Sequence, residues 1–471
     1  MKPGSAECPA IRRQSRRKNA VSSALRRWHK AARASNMDEK SNNKRHPMWR
    51  NIKINLADLL FSVSEAMDLF DPSLVHHQVR TAFVADRLAG AARLDYAQSE
   101  RLLIASLLHD IGALSPEEKI GIHTYEDLQP EPHCQRGGKL FREAFWLEPS
   151  ATIVDWHHTP YSAHRSAGRS LADANVTEAQ MLYLSDHLER AIDREVFILH
   201  QVESLRARIR QLGGAQVHPE LVALFEEISA NEEFWLDLVS KDIARLLQER
   251  SLLRSIELDF PAARSIAAVF KDMTDFRSRF TATHSSGVAA CAHGIAETLA
   301  FSGKDLQQIE LAGFLHDIGK LVVPNAIICK PGRLNAEEYA VVRQHPYYTQ
   351  RILARVRGFE QVADWAALHH ERLDGSGYCK GLERGELDLG AKIVAVADVA
   401  TAIAEHRPYR EPGDEGDVLR ALQEMSGSGL LEPQIVQALA DNYAAIMGAA
   451  EAAQAADETR YLERYAGING A

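Results

Sequence analysis

Two His-Asp pairs stand in nearly the same words, HDIGA at 109–113 and HDIGK at 316–320. Reading outward from each pair reveals a recurring set. His77 precedes His109 by 32 residues, and His284 precedes His316 by 32. His133 and His157 are 24 apart, as are His345 and His369. His157 and His369 each open a doublet, with His158 and His370, and each lies 29 residues before an Asp, Asp186 or Asp398. Only the middle interval differs: 24 residues separate His109 from His133, and 29 separate His316 from His345. The repeated positions hold ten of the chain's 20 His. A lone His on a helix is ordinarily a packed or surface residue. A set that recurs at shared spacing in both halves reads as metal ligands. Mixed imidazole and carboxylate donors suit iron, manganese, zinc or nickel, and the order of affinities alone does not choose among them.

Five imidazoles and two carboxylates in each half can hold two adjacent divalent ions. Adjacent His and Asp on one helix point about 100° apart, so both can face one cavity with the Asp bridging the ions. Two ions roughly 3.5–4 Å apart form an arrangement used for phosphoester hydrolysis, in which they grip phosphate oxygens and make a bound water more acidic. Lys320, one turn past His316-Asp317, would face the same cavity and neutralise a phosphate oxygen. Ala113 stands in that place in the first half.

The elements that must position these residues read as helices. LADLLFSVSEAMDLF (56–70), VRTAFVADRLAGAARL (79–94), LVALFEEI (221–228), AAVFKDM (267–273) and QIVQALADNYAAIM (434–447) carry apolar residues at helical spacing. Alternating strand patterns are scarce. VHPELVALF (217–225) and LEPQIVQAL (431–439) match at similar distances beyond each Asp. The repeat therefore predicts an all-α chain with two domains of one fold, at 51–235 and 260–450. A helical connector at 236–259 joins them, overlapping a connecting helix read over 230–253, and 451–471 reads as a C-terminal tail.

Residues 1–50 hold 14 Lys and Arg against 3 Asp and Glu, while the whole chain of 471 residues has a formal charge of −9. The remainder is thus acidic, which argues against a nucleic-acid-binding face on the folded part. The basic head, with RRQSRRK (12–18) and ALRRWHKAAR (24–33), reads as a solvated, disordered tail whose partner is unknown; a membrane-surface or RNA-binding tail is the alternative. It lacks the apolar stretch of a secretory signal. Met37 and Met48 stand where a shorter product could start. The five Cys form no CxxC pair, and no apolar run reaches the roughly 18 residues of a membrane span, so the chain reads as cytoplasmic.

The second half resembles the HD-GYP family, the bacterial cyclic-dinucleotide phosphodiesterases of the HD hydrolase superfamily. The words that carry the resemblance are HDIGKLVVP (316–324), ICKPGRLNAEEY (328–339), HHERLDGSGY (369–378), VAVADVATA (394–402) and RPYR (407–410). The resemblance implies helical bundle domains, a centre of iron or manganese, and hydrolysis of c-di-GMP or 3′,3′-cGAMP to a linear dinucleotide or mononucleotide. It implies that His284, His316, Asp317 and Asp398 hold one metal. Asp317 bridges to a second, held by His345, His369 and His370. Lys320 then contacts the scissile phosphate, Arg407 and Arg410 bind the substrate, and Tyr378 belongs to the signature loop. Cys379 replaces the signature's Pro, and Phe280 stands where three-metal members have Glu, so two metals are expected. The first half keeps His77, His109, Asp110, His133, His157, His158 and Asp186 but lacks the Lys and the signature loop. It resembles a degenerate HD domain with a second possible metal site, of regulatory or dimerising role, which makes a homodimer an expected assembly. Two other readings stand beside this one: an HD phosphohydrolase of another nucleotide, and a sensor that binds a cyclic dinucleotide without cleaving it.

Overall fold

In the computed structural model, residues 53–464 are described apart from 70, 72–73, 125–130, 278–281, 331 and 407–410. The basic head expected at 1–50 and the two arginines of RPYR lie outside the described residues. The fold is all-α, as its periodicity predicts. The described strands, β1 (Ile54–Asn55) and β2 (Glu257–Leu258), form one antiparallel pair with Ile54 opposite Leu258.

The first repeat packs helices α2 (His77–Ala92), α3 (Tyr96–Leu108), α5 (Glu131–Phe141), α6 (Ala151–Trp156) and α7 (Ala174–Arg190) around one core, with α4 (Pro116–Thr124) inserted after α3. The second packs α9 (His284–Thr298), α10 (Gly303–Leu315), α11 (His345–Leu353), α12 (Glu360–Ala367) and α13 (Leu389–Ala404) in the same order, behind α8 (Phe260–Asp275). The matching words 217–225 and 431–439 each enter a helix through a Pro at the first helical turn, Pro219 and Pro433. Proline's missing N–H costs nothing there.

Helix α1 (Leu56–Ala66) does not stay within the first repeat. Leu56, Leu59, Leu60, Phe61 and Val63 are all buried, and so are Asp58, Ser62 and Ser64, so the helix is enclosed on nearly every side. One side touches α11 of the second repeat. Ser62 Oγ donates to the Ile352 carbonyl, Arg355 pairs with Glu65, and Arg357 Nε lies 2.6 Å from Asp58 Oδ2.

The helix read over 230–253 comes in two pieces, Glu232–Leu238 and Ile243–Arg250. The break falls at Ser240, whose Oγ accepts from the Asp242 N–H and draws the backbone out of the helix. The segment at 451–471, expected as a tail, is helical as far as Arg464. It continues α14 (Tyr443–Arg464), which packs along α9. Its alanines favour helix, and Ile446, Met447 and Ala450 are buried. Farther along, Asp457 accepts from the buried Lys271 at 2.5 Å and from Arg460 at 2.7 Å, locking α14 onto α8.

Candidate metal centres

The helix ends place the donors. His77 and His284 are the first residues of α2 and α9, His109 and His316 cap the C-termini of α3 and α10, and Asp186 and Asp398 lie inside α7 and α13. The two His-Asp pairs therefore sit at a junction of α-helix and 3₁₀ turn rather than within one α-helix. Terminal carbonyls have no partner within the helix. The imidazoles use them: Nδ1 of His109, His157, His316, His345 and His369 bonds the carbonyl three residues earlier, at 2.6–3.0 Å. A donor role for Nδ1 leaves Nε2 as the free lone pair, turned into the cavity.

The glycine of each HDIG word serves this arrangement. A Cβ on Gly112 would lie 2.0 Å from the His133 carbonyl, and one on Gly319 would lie 2.0 Å from the His345 carbonyl. Only glycine lets the next ligand-bearing helix come so close. Gly319→Ala is expected to lower the thermal midpoint, through a loss of about 1–3 kcal/mol from the forced backbone shift. An unchanged midpoint would show that α11 can give way.

In the second repeat His284, His316 and Asp398 form one cluster and His345, His369 and His370 another. Asp317 lies between them, with Oδ2 3.3 Å from His316 Nε2 and Oδ1 3.3 Å from His345 Nε2. In the first repeat His77, His109 and Asp186 gather, as do Asp110, His133, His157 and His158. Asp110 spans the two, with Oδ2 3.5 Å from His109 and Oδ1 3.6 Å from His133. Donors about 2.1 Å from a shared ion stand roughly 3.4 Å apart at tetrahedral angles. The Nε2 atoms of His345 and His369 are 3.3 Å apart, and those of His133 and His157 3.2 Å. His316 Nε2 and Asp317 Oδ1 are buried without a hydrogen-bond partner, as coordination would require. The His and Asp clusters of both repeats are thus consistent with metal sites.

Electrostatics agree. Burial pushes His345 and His157 down to about 4 and His370 to about 3, so their lone pairs are open near neutral pH. Burial also opposes charge on His284, but the carboxylates of Glu405 and Asp398 outweigh it and raise the ring to about 10. An ion taken up there must displace a proton.

The two centres differ in access. Asp398 and His370 keep 13% and 21% of their side-chain surface, against 2% and 8% for Asp186 and His158. Arg190 closes the first centre, with Nη1 3.5 Å from Asp186 Oδ2 and Nη2 2.8 Å from the Ile122 carbonyl on α4. Ala402 stands at the matching place in the second repeat.

Two stretches, residues 74–191 and 268–435, match the family described as HD domain. The chain is 34% identical over 402 residues to the 3'3'-cGAMP-specific phosphodiesterase 3 of Vibrio cholerae, covering 75% of this chain and 87% of that one. The chain belongs to the HD-domain family. It is a tandem HD protein, homologous to enzymes of cyclic-dinucleotide hydrolysis. The second HD domain is also similar to the cyclic di-GMP phosphodiesterase of Thermotoga maritima, 35% identical over 175 residues, 37% of this chain and 47% of that one. A crystal structure of a cyclic GMP-AMP-specific phosphodiesterase of V. cholerae shares the fold, with a TM-score of 0.56 at 24% identity over 83% of this chain and 97% of that chain.

Beyond the ligand set, the second HD domain carries groups at the rim. Lys320 Nζ lies 2.5 Å from Asp317 Oδ2, so it is held by the bridging carboxylate rather than standing free in the cavity. The Tyr378 ring packs 4.7 Å from His370, and the Arg343 guanidinium lies 4.9 Å over the Tyr378 ring. Sequence reasoning missed Arg343, and it missed the carboxylates behind the first His of each domain. Glu405 accepts from His284 Nδ1 at 2.9 Å, and Glu189 from His77 Nδ1 at 2.5 Å. It also missed Glu371, whose carboxylate accepts from the N–H groups of Lys380 and Leu382 and ties the signature loop back.

Proposed function

We propose that the second HD domain hydrolyses a cyclic dinucleotide, 3′,3′-cGAMP or c-di-GMP, to a linear dinucleotide. The observation that carries this is the Asp317-spanned His and Asp centre, open on one side, with a cation and an aromatic ring at its mouth. Relatives over most of the chain act on 3'3'-cGAMP, and relatives of the second domain alone act on cyclic di-GMP.

His284, His316, Asp317 and Asp398 would hold one divalent ion, and Asp317, His345, His369 and His370 the other. Iron or manganese is the expected metal. Such a pair supplies polarisation of the phosphate oxygens and of the attacking water. The chain's own groups do the rest. Lys320, three residues beyond Asp317, exchanges its carboxylate contact for a phosphate oxygen as substrate enters. Arg343 and Tyr378 offer a planar cation and a stacking face to a guanine base. Arg407 and Arg410 remain the expected substrate-binding pair. Asp317 stays ionised for this work: against the cost of burial, His316 and Lys320 hold its carboxyl well below the usual range.

Incubating the Mn²⁺-loaded protein with cyclic dinucleotides, deoxynucleoside triphosphates and ppGpp separates the readings. Cleavage confined to cyclic dinucleotides is expected. Cleavage of only the other nucleotides makes it a different HD phosphohydrolase, and tight binding of cyclic dinucleotides without turnover makes it a sensor. Lys320→Ala is expected to lower turnover about a hundredfold or more, the cost of one lost charge-stabilising donor, while metal content is kept. Equal loss of both would remove Lys320 from this role.

A further inference from the structure

Beside the differences in access and in the Lys, the two centres differ in one potential donor. After His345 the second HD domain has Pro346; after His133 the first has Cys134. The Cys134 Sγ lies 3.7 Å from His133 Nε2 and 4.0 Å from His157 Nε2, on the two rings that stand 3.2 Å apart. Asp110 Oδ1 is 3.6 Å and 4.0 Å from the same nitrogens. The sulfur and the carboxylate oxygen thus each lie within 4.0 Å of the same two nitrogens. A nitrogen about 2.0–2.1 Å and a sulfur about 2.3 Å from one ion stand roughly 3.6 Å apart at tetrahedral angles, so the observed spacing fits a common ion.

We propose that Cys134 supplies a thiolate to this centre and makes it a site for a soft, tetrahedral divalent ion of the zinc class. The second domain, with nitrogen and oxygen donors alone, keeps its preference for harder redox metals. The inference rests on reading the first domain's His and Asp cluster as a metal site. Thiolate donors select zinc over manganese, and carboxylates and imidazoles select less sharply. On binding, the Cys134 thiol passes its proton to solvent as the S–metal bond forms. The surroundings suit a structural ion: Arg190 covers Asp186 on one side, and Cys134 itself is buried. A route in exists on the other side, where Cys134 and His158 reach the wall of a cavity of about 640 Å³ that also holds Lys139, Arg142 and Asp155. The chain would thus carry two kinds of metal in one repeated fold, one that holds and one that reacts.

The test is the absorption spectrum of the full chain, stripped of metal and reloaded with Co²⁺, with cobalt counted in the same sample. His345→Ala removes a donor from one of the second domain's two clusters and leaves the first domain's donors in place. A thiolate-to-cobalt charge-transfer band in the near ultraviolet is expected in the parent and in His345→Ala. It should vanish in Cys134→Ser, whose zinc affinity at this site should fall tenfold or more. A band that persists in Cys134→Ser overturns the proposal. So does its absence from the parent when cobalt fills the first domain, a result that needs no variant to fold. If the parent takes up no more cobalt than the two ions assigned to the second domain, the reading of the first domain's cluster as a metal site fails instead, and the proposal falls with it.

Discussion

Asp317→Ala is expected to lower turnover of a cyclic dinucleotide about a thousandfold or more, whereas Asp110→Ala is expected to leave it close to the parent's. The two residues are the same landmark in the two HD domains, and each spans its pair of His clusters. Polarisation of the phosphate by bound ions is worth several kcal/mol in the transition state, and each 1.36 kcal/mol is a factor of ten in rate. Losing the bridge in the second domain removes that stabilisation and leaves Lys320 without its carboxylate. Losing it in the first domain empties a centre that Arg190 covers and that has Ala113 in place of the Lys. Turnover per folded molecule checks this, with the thermal midpoint of each variant recorded. An equal loss in both variants would mean that the first domain takes part in the reaction.

A chain cut to begin at residue 260 is expected to lose both metal retention and most of its stability, while one beginning at residue 51 keeps them. Helix α1 precedes the first HD domain in sequence, but it supports α11, which starts at His345. Burying its Leu56, Leu59, Leu60, Phe61 and Val63 contributes roughly 1.5–3 kcal/mol each. The helix packs on the first repeat and the connector as well as on α11, so the second domain loses part of this sum, still a sizeable share of the roughly 5–15 kcal/mol by which folded domains are stable. A second link joins the domains nearer the site. Glu117 on α4 accepts from the Asn325 N–H at 3.0 Å, just beyond the HDIGKLVVP stretch. Thermal unfolding and metal counts on both truncations decide the matter. Equal midpoints and equal metal would show that the second domain stands alone.

The clustering of the His and Asp was legible because backbone spacing repeats when a fold repeats. Five helices recur in the same order, so His and Asp at matched intervals must meet at matched places, and they do. The residues that escaped notice are those outside this register. Glu189 follows Asp186 by three residues and Glu405 follows Asp398 by seven, yet both bond the Nδ1 of the first His. Different backbone routes deliver one carboxylate to one place, which no interval can reveal. Gly112 and Gly319 were read as part of a word, not as the gap through which a neighbouring carbonyl passes. Cys134 was hidden for the opposite reason: a search for matches passes over the one donor that differs. The long α14 was read as a tail past 450 because Glu, Gln and Asp interrupt its apolar positions. Two of these polar groups face inward: the half-buried Gln454 donates to Glu405, and the buried Asp457 accepts from Lys271.

On the proposed function the second domain is the place of chemistry and the first supports it. The most direct test is mass spectrometry of the products formed from 3′,3′-cGAMP and c-di-GMP in ¹⁸O-labelled water. The sample is the full chain loaded with Mn²⁺ under reducing conditions, with metal counted beforehand. A linear dinucleotide is expected from at least one of them, with one ¹⁸O in the newly freed phosphate. Both cyclic dinucleotides left intact by a chain whose second-domain centre is filled would contradict the proposed function.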